Sequence, residues 1–587
     1  MDDGGEAAQS MKERLHQQIR AIVQSLLDES GAGGEVPEFA LETPRQEAHG
    51  DFACNVAMLL AKPLRQAPRA IAQRVAERLE DATHLVNRVE VAGPGFVNVW
   101  LAEARWHDLL RRVLEEGGRY GFSDSEAGRR VQVEFVSANP TGPLTLGHGR
   151  QAVLGDSIAR LLEAQGCEVT REYYFNNGGR QMRVLGDSVR ARYLEHLGRA
   201  APPPPLAVED PEHSWRDEVD GLPVVFPKDG YQGGYIAELA RDLAEQYGDA
   251  LVEEPGDGVF RETAETRIFA EIRKTLADLG IHFDVYSNEK DLYEDGRIEE
   301  VIADLRAQGL VYEHEGALWL RSTQLGLDRD RVIVKGSGEP TYLLPDIAYH
   351  REKLRRGFDR VIDVQGADHV EQFPFVTSAI GALDLPADRV ELVMHQFVTL
   401  TQGGEQVKQS TRRATYVTVD WLLGEVGIDV FRYFMVQRRA ETHLDFDLEL
   451  ARETDWKKNP AYYVQYANAR THGIERKAAE RGVPMPDAAN VDADALALPE
   501  EIAILRKIAE FPEVVKRAGE TREPHHLCYY ARDVAALWNP YLQDGVRHRI
   551  LSEDAVLTNA RLGLALAVRV VLSSALGLLG IGAPERM

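Results

Sequence analysis

The segment that most constrains this chain runs from Val131 to Phe175, where the period of the apolar residues changes twice. Val131, Val133 and Phe135 alternate with Gln132 and Glu134, as in a strand, and Val153, Leu154, Ile158, Leu161 and Leu162 then recur at helical spacing up to Gly166. Val169, Arg171, Tyr173 and Phe175 alternate again, which completes a strand–helix–strand unit. The turn before the helix reads NPTGPLTLGH from Asn139 to His148. Backbone N–H groups and the helix dipole favour an anion at such a place. Gly142 lets the chain bend, Gly147 lets a ligand approach the backbone, and His148 offers a ring nitrogen to a phosphate oxygen. The turn matches neither the G-x-x-x-x-G-K-[ST] loop nor the G-x-G-x-x-G fingerprint, and alone it is equally a structural bend.

The flanking sequence differs in kind on the two sides. Before the unit, helical spacing covers Met11 to Ser30 and Ala67 to Leu79, and VEVAGPGFVNVWL forms a hairpin pattern about Gly93-Pro94-Gly95, so a small α+β domain is expected. After it, APPPPLAVEDPEH breaks the pattern and marks an insertion. LVYEHEGALWL, RVIVK, TYLL, RVIDVQG and RVELVMHQFVTL then read as strands among helices, which favours an open parallel α/β sheet. From about Trp456 onward only helical patterns remain.

Composition narrows the class further. With 44% hydrophobic and 28% charged residues, wholesale disorder is excluded. The opening MDDGGEAAQS lacks the features of a signal peptide, and the apolar final helix is interrupted by Ser and Gly, so a cytoplasmic protein without a membrane partner is expected. Cys54, Cys167 and Cys528 form no C-x-x-C pair, which leaves no cysteine zinc site or disulfide framework and no structural metal. A formal net charge of -26 argues against nucleic acid in bulk, but a basic face can sit on an acidic protein.

A second segment, GGEQVKQSTRRA from Gly403 to Ala414, has a glycine tip and carries Lys408, Ser410, Arg412 and Arg413. Such a loop suits closure over a triphosphate, although alone it reads more readily as a solvated basic loop. Together the two segments resemble the HIGH and KMSKS signatures of class I aminoacyl-tRNA synthetases. Neighbouring residues resemble the arginyl-tRNA synthetase family: VEFVSANPTGPL before the turn, LGD at Leu154 to Asp156, REYYFNNGG at Arg171 to Gly179 and FPKDGYQGGYI at Phe226 to Ile236. The similarity continues through YLLPDIAYH at Tyr342 to His350, GADH at Gly366 to His369, HLDFDL at His443 to Leu448, NPAYYVQYANAR at Asn459 to Arg470 and a terminal PERM, so it covers nearly the whole chain.

The resemblance implies an α/β fold with a Rossmann-type parallel-sheet catalytic domain at 121–400, carrying an insertion over roughly 200–325. It also implies an N-terminal α+β tRNA-contacting appendage at 1–120, a KMSKS-type loop and connecting region at 401–455, and an all-α anticodon-binding domain at 456–587. The expected activity is ATP-dependent activation of L-arginine and its transfer to the 2′-hydroxyl of the terminal adenosine of tRNA(Arg), by a monomer using ATP with Mg2+. By resemblance, Thr145, Gly147, His148, Gly366, Asp368, Lys408 and Ser410 hold ATP, with His148, Lys408 and Arg412 acting in catalysis. Glu134, Asn139, Tyr342, Asp346 and Gln372 line the arginine pocket, with Asp346 as first choice for the guanidinium. Tyr462, Tyr466, Arg470 and Trp538 are expected to meet tRNA, with core packing as the alternative for each aromatic. Two positions depart from the family pattern: Thr145 replaces the first histidine of HIGH, and Thr411 the second lysine of KMSKS. These keep open a synthetase-like tRNA-binding protein with weak or absent activation.

Overall fold

The computed structural model describes residues 11–31, 34–44, 46–82, 85–204, 214–367, 370–407 and 417–587. At its centre lies a sheet of five strands: β1 (Arg130–Glu134), β2 (Glu168–Phe175), β3 (Val285–Asn288), β4 (Arg360–Gly366) and β5 (Val390–His395). Their spatial order is β5-β4-β1-β2-β3, and every pairing is parallel. Helix α1 (Leu146–Glu163) joins β1 to β2, α2 (Gly179–His196) follows β2, α3 (Leu343–Arg355) precedes β4, and α4 (Phe373–Ala382) joins β4 to β5. The order reverses between β1 and β4, which opens a crevice beyond the carboxyl ends of those strands. Close approach of helix and sheet is written in Gly155, where a Cβ would come 2.1 Å from Cγ of Phe135.

Several expectations change. The presumed insertion supplies β3, the edge strand of the central sheet, because Val285 to Asn288 pair with Glu172 to Phe175 of β2. The runs between 311 and 334 form their own antiparallel sheet of Val311–His314, Ala317–Leu320 and Arg331–Val334. TYLL is not a strand: Tyr342 sits at the N-cap of α3, whose buried Leu343, Leu344, Ile347 and Ala348 follow helical spacing, and Pro345 is tolerated in the first turn. RVELVMHQFVTL divides into β5 and the strand Val398–Gln402, which pairs in parallel with Leu444–Asp447 in a separate sheet.

The N-terminal domain matches its α+β expectation, with the hairpin Val86–Ala92 and Phe96–Leu101 turning at Gly93 and Gly95, both at positive φ. The C-terminal part is helical, from Pro460–Glu480 to Ala555–Leu578. This last helix has the length and composition to cross a membrane, yet 61% of its most apolar window is buried against its neighbours. Three regions of the chain meet at Arg432, which is fully buried. Its Nε donates to the carbonyl of Leu579 and one Nη to that of Leu279, each at 2.9 Å, while the other Nη pairs with Asp156 of α1.

Candidate active site

Past Glu134 the chain turns through Val136 and Ser137 at φ 70° and 40°. A β-branched residue in the left-handed region is strained, by about 1–3 kcal/mol, so neighbouring contacts must hold it. The Ser137 hydroxyl donates to Glu134 Oε1 at 2.8 Å and accepts the Tyr174 N–H at 3.1 Å, and the Tyr173 hydroxyl donates to the carbonyl of Ala138 at 2.8 Å. The turn then reaches Thr145, the N-cap of α1. Its backbone N–H donates to His148 Nδ1 at 3.2 Å, and its hydroxyl lies 3.2 Å from the same nitrogen. To accept a main-chain N–H, Nδ1 needs its lone pair, so the neutral ring carries its proton on Nε2. The backbone N–H at position 145 therefore selects the His148 tautomer that can donate through Nε2 to a phosphate.

The two glycines of this helix start have different reasons. A Cβ on Gly149 would come 2.6 Å from Cζ of Phe431, whereas one on Gly147 would meet nothing within 4 Å among the described residues. Open space over Gly147 is what close approach of a ligand to the backbone requires. Thr145 also forms an antiparallel bridge with Thr418, and the Val419 N–H donates to the carbonyl of Leu144 at 2.9 Å. The chain leaving the basic loop is thus tied to the turn. Lys408, Ser410, Thr411, Arg412 and Arg413 of that loop lie outside the described residues, as does Asp368. Gly366 ends β4 beside His395 of β5, at the mouth of the crevice.

Asp346 stands in the first turn of α3 and accepts a hydrogen bond from Gln372 Nε2. Tyr342 is 58% exposed at the start of the same helix, and Asn139 Nδ2 donates to Gln181 Oε1 at 2.6 Å. Glu134 is buried and accepts from Lys353 Nζ. Glu289, not among the residues expected from the sequence, is buried at the start of the helix Glu289–Glu294 just beyond β3 and accepts the Tyr174 hydroxyl at 3.1 Å. Burial pushes its carboxyl up to about 7, and the charge of Asp346 adds to the shift. A Cβ on Gly178 would lie 2.5 Å from Glu289 Oε1, so the Asn-Asn-Gly-Gly turn closes over this group. A buried carboxyl that feels a second carboxylate's charge has the chemistry to take up a planar cation. The only signal in the sequence was an acidic residue directly after the short β-prone run VYSN.

The expected tRNA-facing residues divide. Tyr466 stacks on Trp456 with centroids 3.9 Å apart, Trp456 in turn faces Tyr463 at 5.9 Å, and Lys457 lies over the indole. Tyr462 is partly buried against the core. Trp538 is fully buried, stacked on Tyr541, and offers no face to a base, because its position on the helix His525–Tyr541 points inward. Arg470 is half-buried and donates to the carbonyls of Asn539 and Leu542, capping the end of that helix, so its guanidinium is structural. Trp456, absent from the expected set, belongs to the half-exposed aromatic cluster instead.

Three family models match the chain: arginyl tRNA synthetase N terminal domain over 11–101, tRNA synthetases class I (R), catalytic domain over 110–432, and DALR anticodon binding domain over 464–587. It is similar to the arginine–tRNA ligase of Desulfotalea psychrophila, at 46% identity over 95% of each chain. It is also similar to that of Salinibacter ruber, at 46% identity over 98% of this chain and 100% of the relative. The solved structure of Thermus thermophilus arginyl-tRNA synthetase shares its fold, with a TM-score of 0.72 and 24% identity over 98% of this chain and all of that one. The catalytic model alone spans more than half the residues and the relatives run nearly end to end, so the chain belongs to the arginyl-tRNA synthetase family.

Proposed function

We propose that this chain activates L-arginine with ATP and transfers it to the 2′-hydroxyl of the terminal adenosine of tRNA(Arg). The observation that carries the proposal is Asp346, held by Gln372, with the buried Glu289 near enough to feel its charge, at the same sheet end as the capped turn of Thr145 and His148. Arginine's carboxylate attacks the α-phosphorus of ATP, the bond to pyrophosphate breaks, and arginyl adenylate remains. The 2′-hydroxyl then attacks the carbonyl carbon and AMP leaves. A carboxylate is already nucleophilic at neutral pH, so positioning and charge stabilisation carry the first step. His148 Nε2–H and the N-terminus of α1 support phosphate oxygens, and Lys408, Ser410 and Arg412 close over the departing pyrophosphate. Mg2+ enters with the triphosphate as part of the substrate.

Asp346 and Glu289 take the guanidinium, Asn139 and Glu134 the amino-acid end, and Gly366 and Asp368 the adenosine side. The N-terminal domain contacts the outer corner of the tRNA, and the aromatic cluster of Trp456, Tyr463 and Tyr466 stacks on bases of the anticodon stem-loop. A monomer working in the cytoplasm accords with the family and with the buried final helix. An ATP–pyrophosphate exchange assay tests the activity. Exchange that depends on arginine and on tRNA supports it; none under either condition, with tRNA binding intact, overturns it in favour of a binding protein.

A further inference from the structure

Asp363, Glu134 and Glu172 are register partners on the adjacent strands β4, β1 and β2, and they stand in one row across the sheet. All three are buried, at 0%, 7% and 0% exposure. Three carboxylates side by side in the interior require cations, and these come from one stretch of chain. Lys353 of α3 donates to Glu134 and, at 2.7 Å, to Asp363 Oδ1. Arg356, just past the helix, donates to both oxygens of Glu172 at 2.8 and 3.0 Å, and the Tyr349 hydroxyl adds a bond of 2.9 Å to that carboxylate. His350 completes the set: its Nε2 lies 2.6 Å from Asp363 Oδ2, and its Nδ1 lies 2.7 Å from the backbone oxygen of Asp346.

The hydrogen-bond partners decide the state of this ring. A peptide carbonyl only accepts, so Nδ1 carries a proton; an ionised carboxylate only accepts, so Nε2 carries one too. Asp363 is held ionised, since burial alone would raise its carboxyl but Lys353 and His350 bring it well below the usual range. With His350 cationic, three acids face three cations and the layer is neutral. We propose that His350 is a fixed imidazolium that positions the arginine pocket, tying the first turn of α3, which bears Asp346, to Asp363 in the sheet. Burial by itself would depress the imidazole, but the Asp363 carboxylate, its hydrogen bond and the nearby Asp346 outweigh both burial and Lys353, and the net shift is upward. Positions 346, 350 and 353 follow one another at helical spacing, so a single stripe of α3 carries the pocket acid at its open end and the two cations beneath it.

This inference rests on the arginine pocket described above, and its test separates the two. Side-chain-labelled histidine NMR on the full chain, with the His350 signal assigned by its loss in His350→Gln, is expected to show an imidazolium persisting at pH 8, where an ordinary histidine is neutral. A neutral tautomer at pH 7 overturns the proposal whatever the enzyme activates. In exchange assays His350→Gln is expected to raise KM for arginine about tenfold while kcat and KM for ATP change less than about twofold, as a displaced contact does. An unchanged KM for arginine, or equal changes for both substrates, overturns it as well. Should that variant fail to fold, Asp363→Asn removes the same tie from the sheet side and is expected to give the same split. Absence of activation of any amino acid by the wild-type chain would count against the function and leave the NMR result standing.

Discussion

At the residue scale the pocket carboxylates have separable consequences. Asp346→Asn keeps the shape but loses one charge facing the guanidinium, and a charged hydrogen bond in a desolvated site is worth about 3 kcal/mol. KM for arginine is expected to rise about a hundredfold with KM for ATP unchanged, and equal rises in steady-state assays would remove Asp346 from the guanidinium role. Glu289 supplies a pH signature. Its folded carboxyl is raised to about 7, so between its unfolded value near 4.5 and 7 the folded chain binds the extra proton and loses stability as pH rises. A bound guanidinium favours the ionised form and expels that proton. Arginine therefore binds more tightly as pH rises towards 7, by up to about tenfold per unit, and levels off above. Glu289→Gln is expected to flatten this dependence in KM for arginine measured from pH 5.5 to 8; a slope that survives the substitution would assign it elsewhere.

At the scale of elements, the start of α1 shows how much of the site was legible beforehand. The change of period fixed β1, α1 and β2, and the glycine before His148 already pointed to a ligand. The pairing of Thr145 with His148 was not legible, because a capping geometry depends on ring orientation as well as on spacing. Gly147 tests the element directly. Glycine within a helix costs about 1 kcal/mol relative to alanine, and among the described residues no atom opposes a Cβ there. Gly147→Ala is expected to leave the thermal midpoint unchanged or raised while weakening use of ATP at least tenfold. A drop in stability, or full activity, would mean that the residue serves packing. Tyr342 and Asp346 illustrate the opposite failure: TYLL has strand-like composition, and only the packing of Leu343, Leu344, Ile347 and Ala348 draws it into helix α3.

For the whole molecule, the central contact is Arg432, whose guanidinium joins Asp156 of the catalytic helix to carbonyls at Leu279 and Leu579. A Cβ on Gly580 would lie 2.1 Å from this group, so the C-terminal chain passes directly over it. Arg432→Met leaves Asp156 buried beside one fewer cation and two carbonyls without donors, and is expected to destabilise the chain by about 3–5 kcal/mol in thermal or denaturant unfolding. A loss below about 1 kcal/mol would show that the parts hold together without it. The sequence by itself determined the strand–helix–strand unit, the α+β appendage and the helical C-terminal part, because periodicity and turns are local; the pocket residues came from the family resemblance, not from periodicity. Only the tertiary structure decided that Asp363, Glu134 and Glu172 share a row, that Glu289 joins Asp346, and that Trp538 and Arg470 face inward. Those facts follow from strand register and helix rotation, and contacts between distant segments set both.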